Sequence, residues 1–385
     1  MYFFVISFMF VFGGLNYYVG LRGWQMFGSR ISFLDIKVYW IVFAILVLVS
    51  VVGLVRTKFL PDVIRSRLYL VGSYWLAAMA YIIMILVVVD LIRILDSWVS
   101  FLPQAIKNNP DFPFIMGLVV ITLLLILMIY GTWNARQIKV TPYDIHISKQ
   151  AGGLSKLHIA LISDTHLGTI NDDRHKKIID AINYLKPDIV LVAGDITDDI
   201  NLFGKSGISN DFKKITSRYG MYASFGNHEY FQKELGVITD QLEQAGMSVL
   251  RDAYIKVAES FYLIVREDKS SKTVTGKERK TLKELMQDMD LELPVIMLDH
   301  QPIDLEEAKS TGVDLQLSGH THKGQFSPFN LITRRIYKND YGYLKTGGLQ
   351  VIVTSGAATW GPPIRIGTSS EVVHIIVNFD KHDSE

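Results

Sequence analysis

The sequence contains no cysteine. That excludes a disulfide framework, a thiolate zinc site and a cysteine nucleophile, so any metal must be held by His, Asp, Glu, Asn or backbone oxygen. It leaves the compartment open, because disulfide-free proteins occur on both sides of a membrane. Net charge is nearly absent as well: 39 Lys and Arg stand against 38 Asp and Glu. With neither a basic surplus nor a basic stripe interleaved with aromatics, nucleic acid is not expected as a partner. A chain of 385 residues has room for roughly two or three domains. Charge is scarcest in the first third, where the surplus of hydrophobic residues lies.

Four apolar runs occupy that third, at about 1–21, 38–55, 68–89 and 114–133. Each is close to the ~20 residues a helix needs to cross the hydrocarbon core. The first has no charge before Arg22, and it lacks the basic start and small-residue cleavage site of a signal peptide. The expectation is a transmembrane domain of four helices over residues 1–135. Four spans put both ends on one side. Loops on that side carry Arg56, Lys58, Arg65, Arg67, Arg136 and Lys139; the opposite loops carry Arg22, Arg30, Lys37 and Lys107, with Arg93 near the boundary. This count leans towards a cytoplasmic C-terminal domain in a multi-pass protein of a bacterial inner membrane. Asp90, Arg93 and Asp96 stand at helical spacing and read as a local ion-pair row. Residues 97–113, with three prolines, read as a loop with at most a short interfacial helix.

From residue 138 the pattern changes to short apolar strands alternating with helices, the mark of an α/β domain. Ile138–Ser148 alternates and reads as an edge strand, and Asp173–Leu185 reads as a helix covering the sheet. Five buried strands end in residues that can hold a metal. Leu157–Ile162 ends in Ser163-Asp164-Thr165-His166. Ile189–Ala193 ends in Gly194-Asp195, followed by Asp198 and Asp199, which fit either partners that orient ligands or a capped turn. Met221–Phe225 ends in Gly226-Asn227-His228-Glu229, with Glu229 read as an orienting group. Pro294–Leu298 ends in Asp299-His300, and Val313–Leu317 ends in Ser318-Gly319-His320-Thr321-His322. Open α/β sheets place ligands at such ends. A mixed set of carboxylate, amide and imidazole favours Mn, Fe, Zn or Co over calcium. Two such cations ~3.5–4 Å apart can clamp a phosphoryl group and activate water, so no serine or cysteine nucleophile is required.

Elsewhere the reading is plainer. Residues 201–210 read as a polar loop, 211–218 as a short helix, Phe231–Ala245 as one helix, and Val249–Val265 as two strands joined at a turn. Residues 269–280 read as an exposed basic loop before a helix at Thr281–Met289. Arg266 precedes this loop, within reach of a substrate, and a surface role is the reading preferred. Ser355–Arg365, with Trp360, reads as a loop that rims the site; Val351–Thr354 and Val372–Val377 are later strands. His374 reads as a core histidine, and His158 and His175 as structural or surface residues.

Asp164-x-His166, Gly194-Asp195, Gly226-Asn227-His228-Glu229, His300 and Gly319-His320-x-His322, in that order, resemble the motifs of the calcineurin-like metallophosphoesterases. The resemblance covers about Val140 to the C-terminus. The stretches around Asp299, His320 and Trp360 are similar to the membrane-associated bacterial branch typified by YkuE and YaeI. It implies a four-layer sandwich of two mixed β-sheets flanked by helices, over residues 138–385, and a metal-dependent phosphoric ester hydrolase. It also implies one metal on Asp164, His166, Asp195 and His322, and a second on Asp195, Asn227, His300 and His320. His228 would be the catalytic histidine at the leaving group, acting beside a metal-bridging hydroxide. A membrane-anchored phosphohydrolase with a lipid-linked substrate is the leading expectation. A soluble-nucleotide phosphodiesterase or phosphatase is the alternative. A non-catalytic receptor or transport subunit would be expected to have lost ligands, and all seven are present.

Overall fold

The computed structural model describes residues 2–28, 30–55, 59–168, 173–205 and 207–380. The chain divides into two compact units, Met1–Gly131 with Gly361–Pro363, and Thr132–Trp360 with Ile364–Glu385.

The first unit is helical: α1 (Tyr2–Phe27), α2 (Ile36–Leu54), α3 (Asp62–Val99), α4 (Gln104–Lys107) and α5 (Phe112–Ala135), the last running on into the second unit. Asp35 starts α2 by accepting the backbone N–H groups of Lys37 and Val38, two of the donors that a helix start leaves unpaired. Among the described residues, α2, α3 and α5 are long and apolar enough to cross a membrane. α1 lies on the first expected run. Phe10, Leu48 and Ile129 are largely exposed along these helices, an apolar surface that is stable against lipid rather than water. α3 has 38 residues and overruns its expected span at both ends. The two acids beyond that span take hydrogen-bond and ion-pair partners from outside α3. Asp90 accepts from Tyr18 at 2.7 Å and pairs with Arg22, both on α1. Asp96 pairs with Lys107 at 2.7 Å and accepts the Leu102 N–H at 2.7 Å where the chain turns after α3. Arg56 and Lys58, on which the orientation count leans, lie outside the described residues.

The second unit runs β1 (Ile138–Gln150), β2 (Lys156–Ile162), α6 (Arg174–Leu185), β3 (Ile189–Ala193), α7 (Ile200–Lys205), α8 (Ile208–Phe212), β4 (Met221–Ser224), α9 (Asn227–Gln232), α10 (Leu235–Gln244), β5 (Met247–Val249), β6 (Ala253–Val257) and β7 (Phe261–Val265). It continues with α11 (Ser270–Thr275), α12 (Leu282–Leu285), β8 (Val295–Leu298), α13 (Leu305–Thr311), β9 (Leu315–Ser318), α14 (Asn330–Ile336), β10 (Gly342–Thr346), β11 (Leu349–Val353) and β12 (Ser370–Asp380). They form two sheets, ordered β1-β12-β2-β3-β4-β5 and β10-β11-β9-β8-β7-β6. β2 to β5 are parallel, and so are β7, β8, β9 and β11. β12 runs antiparallel to β2, and β6 and β10 are antiparallel edges. Both sheets are therefore mixed.

The two-residue period of a strand sets the layering. On β2, Leu157, Ile159 and Leu161 face the core between the sheets, while Ala160 and Ile162 face α6 to α10. On β7, Phe261, Leu263 and Val265 join the same inner core, and Tyr262 and Ile264 face α12 and α13. Helices, sheet, sheet and helices make four layers. Leu263 is wholly buried in the inner core, so Leu263→Ala should cost about 2–5 kcal/mol. Urea titration of the detergent-purified protein checks this; an unchanged midpoint would refute the packing.

Several local expectations are corrected. Residues 201–210 and 211–218 do not form a loop and then a helix; α7 and α8 occupy 200–205 and 208–212 because Ile200, Phe203, Ile208 and Phe212 are buried beneath a polar exterior. The helix expected at 231–245 is two, broken at Lys233 in left-handed conformation. Residues 269–280 include α11, whose start is held by Asp268 accepting the Ser270 N–H at 2.8 Å. The helix expected at Thr281–Met289 is the short α12, opened by a Thr281–Glu284 capping box. Arg266 is buried rather than on the surface, 3.0 Å from Glu307 and 3.7 Å from Asp299. Asp299 is wholly buried, and a carboxylate there needs a cation beside it. His374 is half-buried, 3.3 Å from His158, and His175 is paired with Asp211.

Candidate metal centre

Asp164 and His166 follow β2, Asp195 follows β3, and Asn227 and His228 open α9 just beyond β4. His300 follows β8, and His320 and His322 follow β9. The C-terminal ends of these parallel strands bring all eight side chains together. Two glycines make the approach close enough. A Cβ on Gly319 would strike the Ser163 hydroxyl and the Asp164 carboxylate, and one on Gly226 would strike Asp195. At Gly319 close approach, rather than a special backbone angle, calls for glycine.

Three groups of donors result. Asp164, His166 and His322 form one, Asp195, His300 and His320 a second, and His166, Asp198 and His228 a third that shares His166 with the first. In the first, His166 Nε2 lies 3.2 Å from His322 Nε2, which is 3.3 Å from Asp164 Oδ1. In the second, His300 Nε2 lies 3.3 Å from Asp195 Oδ2, 3.3 Å from Asn227 Oδ1 and 3.2 Å from His320 Nδ1. The groups are stitched together: the His320 N–H donates to Asp164 at 3.0 Å, and the His228 N–H donates to Asp195 at 2.8 Å.

The donor set fits divalent cations on two independent grounds. Asp164, His166, Asp195, His320 and His322 all have φ between 43° and 71°, the left-handed region that non-glycine residues rarely adopt. Each such residue costs of order 1–3 kcal/mol and persists where the surroundings demand the geometry. The charge states agree. Burial opposes ionisation of Asp164, but the charge and hydrogen bond of His322 outweigh it and hold the carboxyl well below its ordinary range. Burial also opposes ionisation of Asp195, and His300 and His228 overcome it. Burial pushes His322 down to about 4 against the pull of Asp164; burial and the neighbouring His300 lower His320. Ionised carboxylates beside neutral His320 and His322 are states a cation binds. His300 differs: against burial, the Asp195 carboxylate raises it well above its ordinary value, so it holds a proton that a cation would have to displace.

Around the donors lies a shell that fixes their orientation. Asp198 Oδ1 bridges His166 Nδ1 at 2.9 Å and His228 Nδ1 at 2.7 Å. Asp199 instead caps α7, accepting the Leu202 N–H at 3.2 Å. Burial would lower His228, yet the charges of Asp195 and Asp198 raise it to about 9, which favours the protonated ring. Glu229 is wholly buried and accepts four backbone N–H groups, from Asp195, Ile196, Thr197 and Gly226, at 2.8–3.0 Å. A glutamine keeps the shape but points an NH₂ at some of those donors. Glu229→Gln should weaken Mn²⁺ binding about 10–100-fold in a folded protein, read by calorimetry; unchanged affinity would show that the anchor is dispensable.

Sequence reasoning missed the interior of the Ser355–Arg365 loop. Arg365 is wholly buried. Its guanidinium donates to Ser355 O at 2.6 Å and lies 3.3 Å from His322 Nδ1. Its carbonyl accepts from Asn134 at 3.0 Å, the same amide donates to Thr368 O at 2.7 Å, and Ser370 Oγ donates to Ala135 O at 3.1 Å. Trp360 rims the site, its ring centroid 6.4 Å from that of His228. Tyr337, 6.0 Å from the His320 ring, carries no sequence signal, being one tyrosine among 18.

Residues 157–324 match the family model of the calcineurin-like phosphoesterases. An uncharacterized metallophosphoesterase of Aquifex aeolicus is 30% identical over 243 residues, which is 62% of this chain and 92% of that one. A transmembrane protein with metallophosphoesterase domain from Danio rerio is 29% identical over 271 residues, 66% of this chain and 60% of its own. The match thus spans less than two thirds of the zebrafish protein. The uncharacterized metallophosphoesterase YkuE of Bacillus subtilis is 27% identical over 61% of this chain and 84% of its own. With its order of motifs, its two mixed sheets and its clustered donors, the chain belongs to the calcineurin-like metallophosphoesterases, a family of dinuclear-metal phosphoric ester hydrolases.

Proposed function

We propose that this chain is a membrane-anchored phosphohydrolase, with residues 1–135 as membrane domain and 138–385 as catalytic domain. The observation that carries the reading is the convergence of seven donor residues and His228, fixed by Asp198, on the C-terminal ends of five strands. Asp164, His166, Asp195 and His322 would hold one cation, and Asp195, Asn227, His300 and His320 the other, with Asp195 shared. Two oxygen-and-imidazole sets of this kind suit Mn best, with Fe, Zn or Co admissible. When bound, two divalent cations supply the positive charge that activates water and neutralises phosphoryl oxygens.

The remaining work falls to the chain. Asp198 fixes His228 through Nδ1, which leaves Nε2 to face the leaving oxygen. His228 gives its proton to that oxygen as the P–O bond breaks. Asp198 also binds His166, so the proton donor and one metal ligand keep a constant separation. The apolar helices α2, α3 and α5 in the same chain favour a lipid-linked phosphoester, with the catalytic domain on the cytoplasmic side of a bacterial inner membrane.

The test is hydrolysis of p-nitrophenyl phosphate and bis-p-nitrophenyl phosphate by detergent-purified protein, stripped of metal and reloaded with Mn²⁺. Metal-dependent turnover is expected, and the ratio of rates assigns monoester or diester. A folded protein that binds Mn²⁺ yet cleaves neither ester would count against the reading.

A further inference from the structure

We propose that Phe231 and Trp360 form a subsite for the apolar part of the leaving alcohol, which we assign as an acyl-bearing lipid alcohol. The inference deepens the proposed hydrolase and rests on His228 as its proton donor. Phe231 is on α9, one turn after His228, with ring centroids 5.7 Å apart; Trp360 is 6.4 Å from the same imidazole. The two aromatic rings therefore approach the histidine whose Nδ1 is pinned to Asp198. Both are mostly exposed, 61% and 51%, so their apolar faces are not spent on the core. Trp360 is nonetheless fixed. Gln325 donates to its carbonyl and accepts its N–H, each at 2.9 Å, and only main-chain atoms are used.

Two features favour an acyl chain over a nucleoside. A base brings ring donors and acceptors that lose water on binding and need partners; Phe231 has no polar side-chain atom, and Trp360 has one N–H. The loop that carries Trp360 is also tied, through Arg365, Thr368 and Ser370, to Asn134 and Ala135 at the end of α5. It is held where the chain leaves its last apolar helix. In the reaction one water is consumed. Its oxygen forms the new P–O bond, and the leaving oxygen keeps the electron pair of the broken bond and takes the His228 proton. One water proton stays on the phosphate, and the other restores the histidine.

The full-length Mn²⁺-loaded protein in detergent is assayed on lysophosphatidic acid and glycerol 3-phosphate, which differ by one acyl chain, on their methyl diesters, and on AMP. Wild type should favour the acylated member of the pair in kcat/KM. Trp360→Ala and Phe231→Ala should each reduce that preference roughly 10-fold or more. Equal losses on both members would mean a general structural effect and overturn the subsite. A wild-type preference for AMP would overturn the lipid assignment. Turnover of p-nitrophenyl esters without preference within either pair overturns the subsite alone, whereas no turnover of any ester overturns the hydrolase reading beneath it.

Discussion

Asp195→Asn should abolish metal-dependent hydrolysis, lowering kcat by about 10²–10³-fold or more, in a protein that still folds. The expectation follows from where the carboxylate stands. It lies 3.3 Å from His300 and 4.0 Å from His228, and its backbone N–H is held by Glu229. It is the donor assigned to both cations. An amide keeps the shape and an oxygen to accept the His228 N–H, now bonded at 2.8 Å, so the α9 junction survives. The negative charge does not, and with it goes the strongest attraction for a second cation in that group. Calorimetry should therefore show Mn²⁺ stoichiometry falling from two towards one, in step with the rate. A variant that retains both ions and wild-type kcat would remove Asp195 from the centre.

His228→Asn should behave differently, and the contrast separates holding metal from moving a proton. Loss of a positioned acid costs about 10²–10⁴-fold, but only where the leaving oxygen needs a proton. Alkyl esters should suffer the full loss. A p-nitrophenyl ester, whose leaving oxygen is stable as an anion, should be far less affected. Mn²⁺ affinity should stay close to wild type, because the histidine's Nδ1 is spent on Asp198 at 2.7 Å. Equal loss on both ester classes would assign His228 to substrate binding, and lost Mn²⁺ affinity would make it a ligand.

The strand ends are the legible part of this chain because each couples a buried apolar run to chemistry that an apolar core would not tolerate without a purpose. Asp164 after Leu157–Ile162 and Asp195 after Ile189–Ala193 are wholly or almost wholly buried, and either would be costly without partners. Secondary structure fails where apolar spacing is hidden by polar neighbours. Phe203 and Phe212 pack at 0% exposure inside segments rich in Asn, Gly, Ser, Lys and Asp. α14 escapes for the opposite reason: Leu331, Ile332 and Ile336 are exposed, so their pattern points to no core. Arg266 and Arg365 show a third limit. Burial of an arginine depends on acids or carbonyls that the fold imports, Asp299 and Glu307 for one, the carbonyl of His322 for the other. No local window contains them.

The bonds from Asn134 and Ala135 have a practical consequence for anyone who wants the catalytic half in water. Cutting at Ile138, where β1 begins, looks natural but deletes the amide that caps the carbonyls of Arg365 and Thr368 and the acceptor for Ser370. Two buried carbonyls would then be left unpaired, at about 1–3 kcal/mol each, behind the arginine that faces His322. A soluble fragment that keeps the last turn of α5, with its exposed Trp133 made polar, should melt higher and retain more Mn²⁺ than one starting at Ile138. Equal melting temperatures would show that this turn is only a leash.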